Sequence, residues 1–120
     1  MFLWWISGDA RLSSHARRIL GNPDEQRLLS AASVWEIALK LSIGKLRLGE
    51  NPRDLLASML AAYGMETLAI QPSHALATLD LPNHHKDPFD RLLVAQCRVE
   101  NLTLLTDDKL IRRYPVPVTW

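Results

Sequence analysis

One cysteine in 120 residues, Cys97, leaves no internal disulfide to brace this chain, and a reducing, cytosolic setting suits it. That cysteine falls in an apolar helical stretch, where a thiol is buried and inert rather than reactive. No apolar run approaches the roughly 20 residues that a helix needs to cross a bilayer. The opening MFLWWI is apolar, but it has no basic leading segment and is too short for the core of a signal peptide, so it reads as a structural element. A cytoplasmic protein without a membrane anchor is expected. An excess of one charge is missing too: 14 basic against 13 acidic residues give a formal charge of +1, which neither demands nor excludes a nucleic-acid partner. No internal repeat, low-complexity tract or charge block divides the chain, and residues 1–120 are expected to form a single domain.

What is present suits a compact fold. Hydrophobic residues make up 48%, enough for a real core, and the 22% of charged residues is ordinary for a folded domain. Ten of the fourteen basic residues are arginine, the side chain that grips phosphate in a fork. Residues 1–6 continue an apolar pattern that predicts a helix, ended by Ser7, Gly8 and Asp9. Ser13 or Ser14 caps a short helix through Leu20, and Arg27 to Ala31 reads as a buried strand. Ser33 and Glu36 have the spacing of a capping box, with Ile37, Ala38 and Leu41 on a helical face. Asn51-Pro52 opens a further helix that Gly64 closes. Thr67 to Ile70 predicts a strand, and Pro72 starts a helix to about Thr78. The helix after Asp87 runs to Glu100, with Asn101 as a left-handed stop. Leu102 to Leu105 and Val116 to Trp120 are strands, with a brief helix from Asp107 and Asp108 between them. Short strands alternating with helices imply an α/β fold with a mostly parallel sheet, whose ligand site lies beyond the carboxyl ends of the strands.

The acids admit two readings. Singly, each is a helix cap or surface partner. Glu36 can pair with Lys40 one turn on, a contact worth ~0.2–0.5 kcal/mol. Asp87 caps the helix in which Pro88 is first and Asp90 third, and Asp107 and Asp108 precede Leu110 and Ile111. Together, acids that follow strands converge on one sheet edge, and carboxylates so crowded repel unless a cation sits among them. Oxygen donors without cysteine or a matched histidine pair suit Mg²⁺ or Mn²⁺ rather than zinc. Such an ion directs water at a phosphodiester. The rival chemistry, His84 and His85 as a metal-free acid and base, is weakened because adjacent loop residues point apart. His15 and His74 read as solvated or capping. Trp4, Trp5, Trp35 and Trp120 read as core or interface, and Arg17, Arg18, Arg112 and Arg113 as solvated surface.

Several segments together resemble the PIN-domain family, in its branch of VapC-type toxins from bacterial toxin–antitoxin pairs. They are FLWWISGDARLS, SAASVWEIALKLSIGKL, SHALATLDLPNHHKDPFDRLLVAQ, LTLLTDD and the closing VPVTW, in family order over nearly the whole chain. The resemblance implies a three-layer α/β/α domain and a Mg²⁺- or Mn²⁺-dependent endoribonuclease. It also implies a homodimer and a cognate antitoxin that blocks the site. Carried over by position, the family's acids are Glu36, Asp90 and Asp108, with Asp87 and Asp107 as flanking candidates. Cleavage of RNA would leave a 5′-phosphate and a 3′-hydroxyl. Relatives begin with a central strand ending in Asp then Thr or Ser, ahead of an FLWW-like helix. That strand and its aspartate are expected to be missing here, leaving two neighbouring strands without ladder partners and the metal weakly held. The alternative function is a truncated, catalytically weak module that only associates, through an exposed Phe2, Trp4 and Trp5, with an antitoxin or a second copy.

Overall fold

The computed structural model describes residues 1–4, 13–84 and 87–120. Among them, five strands form one parallel sheet in the order β3-β2-β1-β4-β5. The strands are β1 (Phe2–Trp4), β2 (Arg27–Ser30), β3 (Glu66–Leu68), β4 (Thr103–Leu105) and β5 (Val118–Thr119). The helices are α1 (Ser14–Gly21), α2 (Ala31–Ser42), α3 (Pro52–Tyr63), α4 (Pro72–Ala77) and α5 (Pro88–Glu100), with short 3₁₀ turns at Thr78–Asp80 and Ile111–Arg113. No helix among the described residues is long and apolar enough to cross a membrane.

The first strand corrects two expectations at once. Phe2–Trp4 is extended rather than helical, and it occupies the centre of the sheet, so the central strand is not missing. Leu3 pairs in parallel with Leu28 on one side and Leu104 on the other. The physical reason is the ladder itself: β2 and β4 each carry a row of buried donors and acceptors, and one strand between them satisfies both. Large apolar residues suit a strand buried on both faces, and Phe and Trp favour extended backbone. The expected turn at Ser7, Gly8 and Asp9 lies outside the described residues.

Alternation along the strands builds two cores. Leu3, Leu28 and Leu104 point to one face, where Leu93, Val94 and Ala95 of α5 cover them together with Leu81, Ile111 and Tyr114. Trp4, Leu29 and Leu105 point to the other, against Ala16, Ile19 and Leu20 of α1, with Leu56, Met59 and Leu60 of α3 packed alongside. The ring of Trp4 meets that of Tyr63 edge-on at 6.0 Å. A sheet with helices on both faces is the three-layer α/β/α arrangement.

Most helix ends follow local chemistry. Ser13 accepts the Ala16 N–H at 3.0 Å, and Asn51 accepts that of Arg53 at 2.9 Å. Gly64 and Asn101 stop α3 and α5 in the left-handed region, at φ 60° and 56°. One cap differs from expectation. The N-cap of α2 is Ser30, whose Oγ accepts the Ala32 N–H at 3.0 Å. The helix therefore starts directly at the end of β2, and Ser33 lies inside it rather than forming a capping box with Glu36.

Candidate functional site

An all-parallel sheet sends every strand end to the same edge, and its order reverses between β1 and β4, the place where such sheets bind ligands. Ser30, the last residue of β2, caps α2, so α2 leaves from that edge. Along its buried side lie Ala32, Ser33 and Glu36. Glu36 is only 7% exposed, and its Oε1 accepts from Lys40 Nζ at 3.1 Å, the expected one-turn pair. A buried carboxylate is costly unless partnered, and Lys40 meets that requirement. The buried Ser33 hydroxyl has no hydrogen-bond partner among the described residues.

Facing α2 is the start of α5. Asp87 Oδ1 accepts the N–H of Phe89 at 2.8 Å and that of Asp90 at 3.4 Å, with Pro88 at the first helical position. Asp90 sits in the first turn and is 3% exposed, where the helix dipole favours a negative charge. The two helices pack on each other. Between them opens a groove of about 460 Å³, lined by Glu36, Leu39, Lys40, Ile43 and Lys45 of α2 and its exit and by Asp87, Pro88 and Phe89 of α5. Glu36 and Asp87 thus share one groove, with two lysines beside them.

Asp108 stands on the loop that leaves β4 at the same edge. Its N–H donates to Thr106 Oγ1 at 3.2 Å, and its Oδ1 accepts the Leu110 N–H at 2.9 Å. Buried Thr106 in turn donates its N–H to Thr119 O at 3.0 Å, tying the loop to β5. Asp107 is exposed. Among the described residues, no group of three or more His, Cys, Asp or Glu is arranged to hold a metal ion. The donors fit a hard divalent ion in kind, being carboxylates plus the orphaned Ser33 hydroxyl. The described arrangement leaves that set open rather than closed into a cage.

Other expectations resolve variously. His84 meets Tyr114 edge-on at 5.3 Å, and His85 lies outside the described residues. His74 takes the capping role of the two expected and is fully buried: at the start of α4 its Nδ1 accepts the Gln71 N–H at 3.0 Å, and its Nε2 lies 2.8 Å from Glu100 Oε1. His15 is exposed as expected, with Nε2 2.9 Å from Thr119 Oγ1. Trp4 is core, whereas Trp35 is 56% exposed on α2; Trp5 falls outside the described residues. Burial pushes the Cys97 thiol up to about 12, so it is inert. Sequence reasoning missed Gln96, which is fully buried and lies 2.5 Å from Ser30 Oγ. A polar residue on the apolar face of α5 was the available signal.

A family model described as the PIN domain matches residues 1–117. No curated protein matches the sequence. Similar solved structures include VapBC2 from Rickettsia felis bound to a DNA fragment from its promoter, with a TM-score of 0.72 and 16% identity over 99% of this chain and 98% of the other. FitAcB from Neisseria gonorrhoeae has a TM-score of 0.59 at 17% identity, covering 100% of this chain and 97% of the other. FitAB bound to an IR36 DNA fragment has 0.56 at 15%, covering 99% and 94%. At these identities the likeness is one of fold.

Proposed function

The chain belongs to the PIN-domain family, and from that premise we propose that it is a divalent-metal-dependent endoribonuclease, the toxin of a toxin–antitoxin pair. The observation that carries this reading is the placement of its acids. Glu36 and Asp90, both nearly buried, stand on two helices packed together past the carboxyl edge, and Asp108 leaves β4 at that edge. Acids on two packed helices beyond the carboxyl edge of a parallel sheet suit the holding of a cation.

Glu36, Asp90 and Asp108 would hold Mg²⁺ or Mn²⁺, with Asp87 and Asp107 as secondary candidates. The bound ion would supply an activated water and offset charge on the phosphodiester. The protein's own side chains do the rest. Asp87 fixes the first turn of α5 and so the height of Asp90. Lys40 pairs with Glu36 at the groove, and Lys45 adds positive charge where an RNA backbone would lie. RNA is the proposed substrate, and the products are a 5′-phosphate and a 3′-hydroxyl. The VapC-like sequence and the fold shared with VapBC2 and FitAB support a cognate antitoxin as partner; a homodimer in the cytoplasm completes the reading.

The test is cleavage of RNA by the purified chain with Mg²⁺, arrested by EDTA. Asp90→Asn should abolish it; a variant that cuts as fast as the parent removes Asp90 from the site.

A second reading has its own support. Exposed apolar groups at α2 favour a module that associates without cutting. Its aromatic surface is not the one expected, because Trp4 is buried and Phe2 half-buried in β1. Trp35 and Ile43, 56% and 63% exposed on and just after α2, are the apolar groups available. Size-exclusion chromatography separates the readings: a dispersed monomer that cuts RNA excludes the association module.

A further inference from the structure

A buried polar contact joins α2 and α5 about 9 Å along each helix from Glu36 and Asp90. Gln96 is fully buried in α5, and its Oε1 accepts the hydroxyl of Ser30, the N-cap of α2, at 2.5 Å. Six residues on from Ser30 along α2 is Glu36; six residues back from Gln96 along α5 is Asp90. The later part of α2 borders the start of α5 across the groove, so the two helices run past each other in opposite directions. At 1.5 Å per residue, the two six-residue steps each cover about 9 Å in the same direction. The bond at one end therefore matches the two carboxylates at the other.

We infer that Gln96 is a positioning residue that holds the register of α2 on α5 and so brings Glu36 level with Asp90. Its other hand makes two longer contacts. Gln96 Nε2 donates to the Ala69 carbonyl at 3.5 Å and lies 3.4 Å from His74 Nδ1. That nitrogen already accepts the Gln71 N–H, so it carries no proton, and His74 Nε2–H donates to Glu100. Ser30, Gln96 and His74 are all fully buried. The direction of the bonds follows: Ser30 gives to Gln96, Gln96 gives to Ala69 with the His74 nitrogen close by, and His74 gives to Glu100. Gln96 can neither rotate nor swap its amide ends without orphaning buried groups, and a satisfied buried network of this kind specifies one arrangement. A hydrophobic residue of equal size would fill the space and leave α2 free to slide.

The inference deepens the ribonuclease reading and rests on it for its catalytic consequence. The experiment compares Gln96→Leu, Ser30→Thr and Val94→Ala with the parent in three measurements: Mn²⁺ affinity, kcat and KM on RNA, and hydrogen exchange of the amides of α2. Val94→Ala is the control, a buried residue on the same helix outside the network. Gln96→Leu should weaken Mn²⁺ binding and lower kcat by about tenfold or more each, with KM little changed. It should also speed exchange in the first turns of α2 ahead of the rest of the molecule. Ser30→Thr keeps the hydroxyl and should behave as the parent. Equal losses in Gln96→Leu and Val94→Ala, or uniform exchange in both, would reduce Gln96 to a packing residue and overturn the inference. If the parent neither cuts RNA nor binds Mn²⁺, the proposed function fails, and exchange decides alone: loosening selective to α2 upholds the register contact, and its absence removes it.

Discussion

The contact between α2 and α5 has two ends of opposite character. At the Gln96 end, Ser30, Gln96 and His74 are fully buried and each meets a partner. At the Glu36 end, the surface opens into a groove, and Glu36 relies on a half-exposed lysine. The closed end is built as scaffold, and the open end is the proposed site. Rigid, satisfied polar groups hold the helices at one end, while the other presents a carboxylate and lysines to the groove.

The sharpest way to break that contrast is to truncate a buried and an exposed side chain, one on each helix. Leu93→Ala, beneath the scaffold end, should cost about 2–5 kcal/mol in urea unfolding, because it leaves a cavity in the core under β1. Trp35→Ala, on the exposed surface of α2, should cost about 0.5 kcal/mol or less. Similar losses at both positions would mean that the groove end is also structural.

That comparison bears on how much could be read before the fold was known. In α5, Asp87, Pro88 and Asn101 announce start and stop through their own side chains, and the structure keeps each role. The acids at helix starts pointed to one sheet edge for the same reason. Phe2–Trp4 went the other way: a short apolar run without a cap is compatible with helix or strand, and only the unpaired edges of β2 and β4 select the strand. The cap of α2 at Ser30 was hidden by a second serine three positions on. Gln96 was invisible because its partners, Ser30, Ala69 and His74, come from three distant segments.

A second prediction uses pH at the scaffold end. Burial raises the Cys97 thiol from 9.0 to about 12. The unfolded chain loses this proton near 9 and the folded one only near 12, so stability from this group is complete below pH 9 and falls between them. The slope is at most about 1.4 kcal/mol per pH unit. Urea midpoints measured across that range should fall for the parent and fall less for Cys97→Ala.

The smallest effect lies on α2 between the two ends. Ser33→Ala removes a buried hydroxyl without a described partner, so stability should stay level or rise by up to about 1 kcal/mol. A loss above that size would show that the hydroxyl is well satisfied.

The most direct measurement is a calorimetric titration of Mn²⁺ into the parent, Glu36→Gln, Asp90→Asn and Asp108→Asn. Binding to one site that each substitution weakens by at least about tenfold would show three acids acting on one ion. A parent that binds no ion, or a substitution that leaves the affinity unchanged, would contradict a shared metal site at this edge.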